Sequence, residues 1–80
     1  MTAKNTGLPF EAALKALKAG AKAAREGWNG KNMFVYLSPT SWAGEVTLEP
    51  FLVMKTADNR HVPWVVSQTD LMAEDWCVLG

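Results

Sequence analysis

The chain carries little with which to do covalent chemistry. Its one cysteine excludes an internal disulfide, and no zinc-ligand spacing accompanies it, which fits a reducing cytoplasm. There is one histidine, no glycine-rich phosphate loop and no nucleophile elbow, so no metal or cofactor is expected. Net charge is missing too. Eight basic residues cancel 8 acidic ones, which removes the attraction that supplies most non-specific nucleic-acid affinity and excludes duplex DNA or RNA as a partner. No stretch approaches the roughly 18 uninterrupted apolar residues of a transmembrane helix, and the N-terminal run MTAKNTGLPF has no apolar signal core. The expectation is a soluble, cytoplasmic protein.

What the chain does have is aromatic surface. Its 80 residues make one domain, residues 1–80, and a domain of this size buries only roughly 60 to 65% of the surface its unfolded chain exposes, so the core is marginal alone and oligomerisation is expected. The 4 tryptophans can each bury on the order of 150 to 250 Å², a large share of one small core. Some of that surface is expected in a subunit interface or a ligand pocket.

Apolar residues at Phe10, Ala13, Leu14 and Leu17 follow the spacing of a helix with one buried face. Pro9 suits the first turn, Glu11 the positive end, and Gly20 a C-terminal stop, which predicts a helix over 9–19. Residues 22–26 are either a second turn or a short strand leading into a bend at Gly27, Asn29 and Gly30. MFVYL, residues 33–37, reads as a strand, and residues 38–50, rich in Ser, Pro, Thr and Gly, read as a loop containing Trp42. Two further strand-like runs flank Asp58 and Asn59. A two-residue hairpin there sets Lys55 opposite Val62, Met54 opposite Pro63 and Val53 opposite Trp64, and Pro63 then requires an edge strand or a bulge. Ser67 followed by Asp70 resembles a capping box and predicts a helical turn over 68–73, with a last strand over 75–79. The order predicts an α+β fold, an antiparallel sheet with the N-terminal helix packed on one face and a short helical turn before the last strand.

Among candidate chemical groups, Cys77 in its apolar strand reads as a buried, inert thiol. His61 beside a hairpin turn reads as a solvated surface residue, and an esterase or nuclease would have to pair it with Asp70 or Asp75. Asp70 is explained without catalysis by its place in a first helical turn. The fuller constellation suits ligand binding. Trp28 is either the end of the core or a flat π surface, Arg25 and Lys31 flank it with positive charge, and the amides of Asn29, Gly30 and Lys31 suit an anion-binding turn. Ser67, Gln68, Thr69 and Asp70 supply hydroxyl, amide and carboxylate groups beside Trp64. Stacking, cations and hydroxyl-binding groups together match the base, phosphate and ribose of a nucleotide. The competing reading is a structural or interaction protein whose tryptophans serve only oligomer or partner contacts, with Trp64 and Trp76 in core or interface.

The strings FEAALKALKAG, AAREGWNGKNMFVYL and MKTADNRHVPWVVSQTDLMAEDWCVL cover nearly the whole chain. In them the chain resembles the type II Thoeris anti-defence family, a bacterial and phage domain that includes phage-encoded sponges. The resemblance implies a homotetramer that sequesters the cyclised ADP-ribose signal of TIR-domain immunity without cleaving it, in pockets between subunits. Some relatives also capture cyclic dinucleotides at a separate site. Carried over by residue, it implies Trp28 with Asn29 and Lys31 as part of the ligand wall and Ser67 to Asp70 as its polar side, with the loop over 38–50 as a place where isomer preference is set. A sponge acts by equilibrium capture, which requires nanomolar affinity, about −12 kcal/mol. A single wet turn does not supply that, whereas a pocket closed by two subunits does.

Overall fold

A computed structural model describes residues 6–28 and 32–80. The first helix, α1, spans Phe10–Lys18 and buries Phe10, Ala13 and Leu17 on one stripe, as the apolar spacing predicts. Pro9 stands one position outside it as the N-cap, with its carbonyl accepting from Ala12 and Ala13. The helix ends in a Schellman turn: the Gly20 N–H bonds the Leu17 carbonyl, the Ala21 N–H bonds the Ala16 carbonyl, and Gly20 has φ +101°, a conformation for which glycine is best suited.

The chain then forms β1 (Ala23–Arg25), β2 (Phe34–Leu37), a separate hairpin of β3 (Ser41–Ala43) and β4 (Val46–Leu48), then β5 (Leu52–Lys55), β6 (His61–Pro63), the short helix α2 (Gln68–Met72) and β7 (Trp76–Val78). Five strands pair antiparallel in the order β6-β5-β2-β1-β7, and α1 covers one face of that sheet. The fold is therefore α+β, as expected, and residues 22–26 resolve into the strand β1 rather than a second turn. Val35 at the middle of β2 and Ala23 opposite it are fully buried beneath α1, together with Trp76 of β7. Alternation of side chains along each strand puts Arg25, Met54 and Leu52 on that covered side and Phe34, Tyr36 and Lys55 on the other. Leu8 exchanges two backbone hydrogen bonds with Trp76, each 3.0 Å, which closes the outer edge of β7 at that point.

Two sequence expectations change. The stretch 38–50 is not a plain loop: Ser41 to Leu48 form the β3-β4 hairpin, turning at Gly44 (φ +65°), where a two-residue II′ turn requires glycine. Trp42 on this arm is 73% exposed. The β5-β6 register is also shifted by one residue. The loop holds three residues, Ala57, Asp58 and Asn59, with the Thr56 N–H bonded to the Arg60 carbonyl and Asn59 at φ +67°. Asparagine tolerates that left-handed position and adds the third loop residue, so Val53 rather than Met54 faces Pro63. Pro63 lies on an edge strand, as its missing N–H demands. The shift also carries Trp64, which follows β6 rather than lying in it, to a hydrogen bond with the Leu52 carbonyl on the covered side. A one-residue slip would have turned it to the opposite face.

Trp76 is the largest fully buried side chain. Trp76→Ala is expected to lower unfolding stability by about 3 to 5 kcal/mol, the range for emptying an aromatic core site, as read from urea denaturation followed by circular dichroism.

Candidate functional site

Beyond its last β1 residue, Arg25, the chain turns back at Glu26 and Gly27 so that the Trp28 N–H reaches the Arg25 carbonyl at 3.2 Å. The turn is pinned from the side by Asp75, the residue before β7. Its carboxylate accepts from Arg25 Nε at 2.8 Å and from the Gly27 N–H at 2.9 Å, and its carbonyl accepts from the Glu26 N–H at 3.0 Å. A Cβ on Gly27 would stand 3.1 Å from that carboxylate and 3.4 Å from the guanidinium, so glycine is the residue that lets the carboxylate approach the backbone.

Asp70 holds the turn from α2. Ser67 caps this short helix by accepting from the Asp70 N–H at 3.1 Å, as the sequence predicts, and returns its hydroxyl to the Asp70 carboxylate at 3.0 Å. The same carboxylate accepts from Arg25 Nη1 at 2.7 Å and from the Trp28 indole N–H at 3.4 Å, while the Asp70 carbonyl accepts from the Trp76 indole N–H at 2.9 Å. The indole rings of Trp28, Trp64 and Trp76 meet edge to face, with centroids 5.5 to 6.3 Å apart in the three pairs. Such geometry sets the positive rim of one ring against the negative face of the next. Trp76 is sealed by this packing, whereas Trp28 and Trp64 are half-buried and keep part of their surface free.

The sequence candidates therefore divide. Arg25, Trp28, Trp64, Ser67 and Asp70 come together. Gln68 and Thr69 are exposed on α2 next to them. Asn29 and Lys31 lie outside the described residues. Arg25 is not a free cation: hydrogen bonds to Asp75 and then Asp70 hold its proton above the ordinary arginine value, and the three groups together carry one excess negative charge. The Asp75 carboxyl is held below its ordinary value, chiefly by the hydrogen bond from Arg25, against the opposing effect of burial. Sequence reasoning passed over Asp75 and Gly27 as parts of this arrangement. Their contact depends on β1 pairing with β7, which sets Arg25 opposite Trp76, and no local spacing announces it.

The groups considered for catalysis are held apart. His61 Nδ1 is hydrogen-bonded to the Tyr36 hydroxyl at 2.8 Å, while Asp70 and Asp75 bind Arg25. Burial pushes the Cys77 thiol up, which keeps it protonated near neutrality. The described surface of the single chain encloses no pocket beside Trp28. No helix among the described residues is long and apolar enough to cross a membrane, and no group of acidic, histidine or cysteine side chains among them could hold a metal ion.

Residues 8–79 match the family described as the Thoeris anti-defense 2-like domain. The chain belongs to that family. Among curated relatives, Thoeris anti-defense 2 of Bacillus phage SP01 is 42% identical over 87 aligned residues, which cover 94% of this chain and 98% of the relative. In this Thoeris anti-defense 2-like chain, Gly27 and Trp28 follow β1 in the turn and Ser67 to Asp70 cap and open α2, and the two meet where the Trp28 indole N–H reaches the Asp70 carboxylate at 3.4 Å.

The depressed Asp75 value fixes a pH dependence. Because the unfolded chain takes up this proton at a higher pH than the folded chain does, the stabilisation is present above the ordinary aspartate value of about 4 and is lost as pH falls through the lower folded value. Urea midpoints measured from neutral pH down to strongly acid solution are expected to show wild type more stable than Asp75→Asn near neutrality, with the gap closing in acid.

Proposed function

We propose that this chain opposes Thoeris immunity as a sponge. It binds the cyclised ADP-ribose signal in the host cytoplasm, holds it intact and has no catalytic role. The observation that carries the reading is the Trp28 indole, fixed on one side by Trp64, Trp76 and the Asp70 carboxylate while the other part stays uncovered. A ring immobilised in this way offers a stacking surface without the entropy cost of ordering it on binding. Family membership supports the same direction, since the curated relative is named for anti-Thoeris defence.

The pairing of Arg25 changes which residues contact ligand in this reading. Arg25 and Asp70 position Trp28, while Lys31 and Asn29 supply the cation and amide beyond it, and Gln68 and Thr69, exposed at the start of α2, meet the ribose hydroxyls. A second protomer of a homotetramer closes the pocket, because a half-covered indole on an open surface gives too little contact for nanomolar capture. Capture of cyclic dinucleotides at a separate site is a further part of the family-based reading.

The test mixes purified protein with cyclised ADP-ribose, removes the protein by filtration and assays the filtrate, then heats the retained fraction. Intact ligand, depleted from the filtrate and released by heat, is the expected result. Ligand lost from both fractions would mean turnover, and ligand left in the filtrate would mean no capture.

Trp28→Ala is expected to cost about 1 to 3 kcal/mol of ligand affinity, the scale of a stacking contact, with solution mass unchanged. Trp28→Phe, which keeps a ring against Trp64 and Trp76, should lose less. A fall in solution mass with either change would favour the alternative in which the aromatic surface serves only assembly.

A further inference from the structure

The hydrogen bonds that Trp28 makes for itself are long. Its backbone N–H reaches the Arg25 carbonyl at 3.2 Å and its indole N–H reaches the Asp70 carboxylate at 3.4 Å, at or beyond the upper end of the range for N–H···O bonds. The bonds that hold the preceding turn are shorter, and all of them end on Asp75. It accepts from Arg25 Nε at 2.8 Å, from the Glu26 N–H at 3.0 Å and from the Gly27 N–H at 2.9 Å, the first and last of these on its carboxylate and so charge-assisted. The two carboxylates also stand on different supports. Asp70 belongs to a helix of 5 residues, none of them buried. Asp75 directly precedes Trp76, which is fully buried, paired with Arg25 across β1 and β7, and bonded in both directions to Leu8. Asp75 is the stiffer support, and it grips the backbone that carries the ring rather than the ring itself.

Gly27 makes that grip possible. Its φ lies outside the left-handed region, so the backbone there suits any residue and glycine is needed for room, not for conformation. A Cβ at 3.1 Å from the Asp75 carboxylate would push it aside by a few tenths of an ångström, away from the Gly27 N–H. We propose that Asp75, given access by Gly27, is the positioning residue for ligand capture: it does not touch the ligand, and it sets the fraction of molecules in which the Trp28 surface stands ready. The inference rests on the sponge reading. A residue that acts on readiness scales the apparent affinity by the competent fraction, and the loss falls on association, because dissociation starts from an arrangement the ligand already holds. Loss of a direct contact instead shows mainly as faster dissociation.

Stopped-flow fluorescence with cyclised ADP-ribose, run on Asp75→Asn and Gly27→Ala without denaturant, separates the two, read beside the indole N–H resonances of the isotope-labelled proteins free of ligand. Association is expected to slow about tenfold in Asp75→Asn, the scale of one charge-assisted hydrogen bond, and severalfold in Gly27→Ala, with dissociation unchanged within about twofold. The Trp28 indole resonance should shift or broaden in both variants while the Trp76 resonance persists, which shows the core intact. Trp28→Ala should instead speed dissociation. Association at the wild-type rate in both variants, or a loss of affinity carried by dissociation, would overturn the proposal. If the wild type captures no ligand, the sponge reading fails and the indole resonances alone decide: a Trp28 signal moved by both variants supports the positioning role, and one moved by neither overturns it.

Discussion

The Arg25 guanidinium, held between Asp70 and Asp75, ties together parts of the chain that are 45 and 50 residues apart in sequence. Around it the end of β1, the turn leading to Trp28, the short helix α2 and the start of β7 take fixed places. Exposed ion pairs contribute little, but this one is half-buried, contacts both carboxylates at hydrogen-bond distance and is shared with a backbone N–H, an indole and a serine hydroxyl. Removing one member would leave the others partly desolvated without a partner, which is where the energetic weight of such a network lies. A chain with so small a core has few other ways to hold a large ring at a turn.

The indole cluster and the ion-paired network depend on each other. Trp76 fills the core and gives its N–H to the Asp70 carbonyl; Trp64 reaches the same side through the β5-β6 register; and Trp28 closes the group from the turn. The result is a rigid aromatic surface facing outward on the covered side of the sheet, while the opposite side gathers lysines around Phe34. The apolar β3-β4 arm, with Trp42 largely exposed, and the exposed Val65 and Met72 near α2 are surfaces that a lone chain leaves in water.

Local rules carried much of this fold. The helix α1 was legible because its apolar spacing, Pro9 and Gly20 agree, and the cap of α2 because Ser67 and Asp70 stand three apart. Pro63 requires an edge strand or a bulge, and β6 lies at the edge of the sheet. The β3-β4 hairpin was not legible: its strands are three residues each, its turn Gly-Glu rather than Asn-Gly, and the Ser and Pro before it resemble a loop. The β5-β6 register escaped because nothing local shows that Asn59 adopts a left-handed conformation and lengthens the turn by one residue. Around Trp28, the sequence singled out Trp28, Trp64, Ser67 and Asp70, which the fold brings together, but the commitment of Arg25 to two carboxylates was not legible. Whether an arginine greets a ligand or a carboxylate depends on which strand lies beside it, and Asp75 arrives only through the pairing of β1 with β7.

The central claim is that Trp28 is held as a preformed stacking surface, with the chain's own charges committed to holding it. Diffraction from crystals grown with cyclised ADP-ribose examines that claim most directly. The account predicts the ligand's base against the uncovered part of the Trp28 ring, a second protomer completing the enclosure, and Arg25 still bridging Asp70 and Asp75. A ligand bound away from this ring, or one whose phosphates have drawn Arg25 out of its ion pairs, would contradict it.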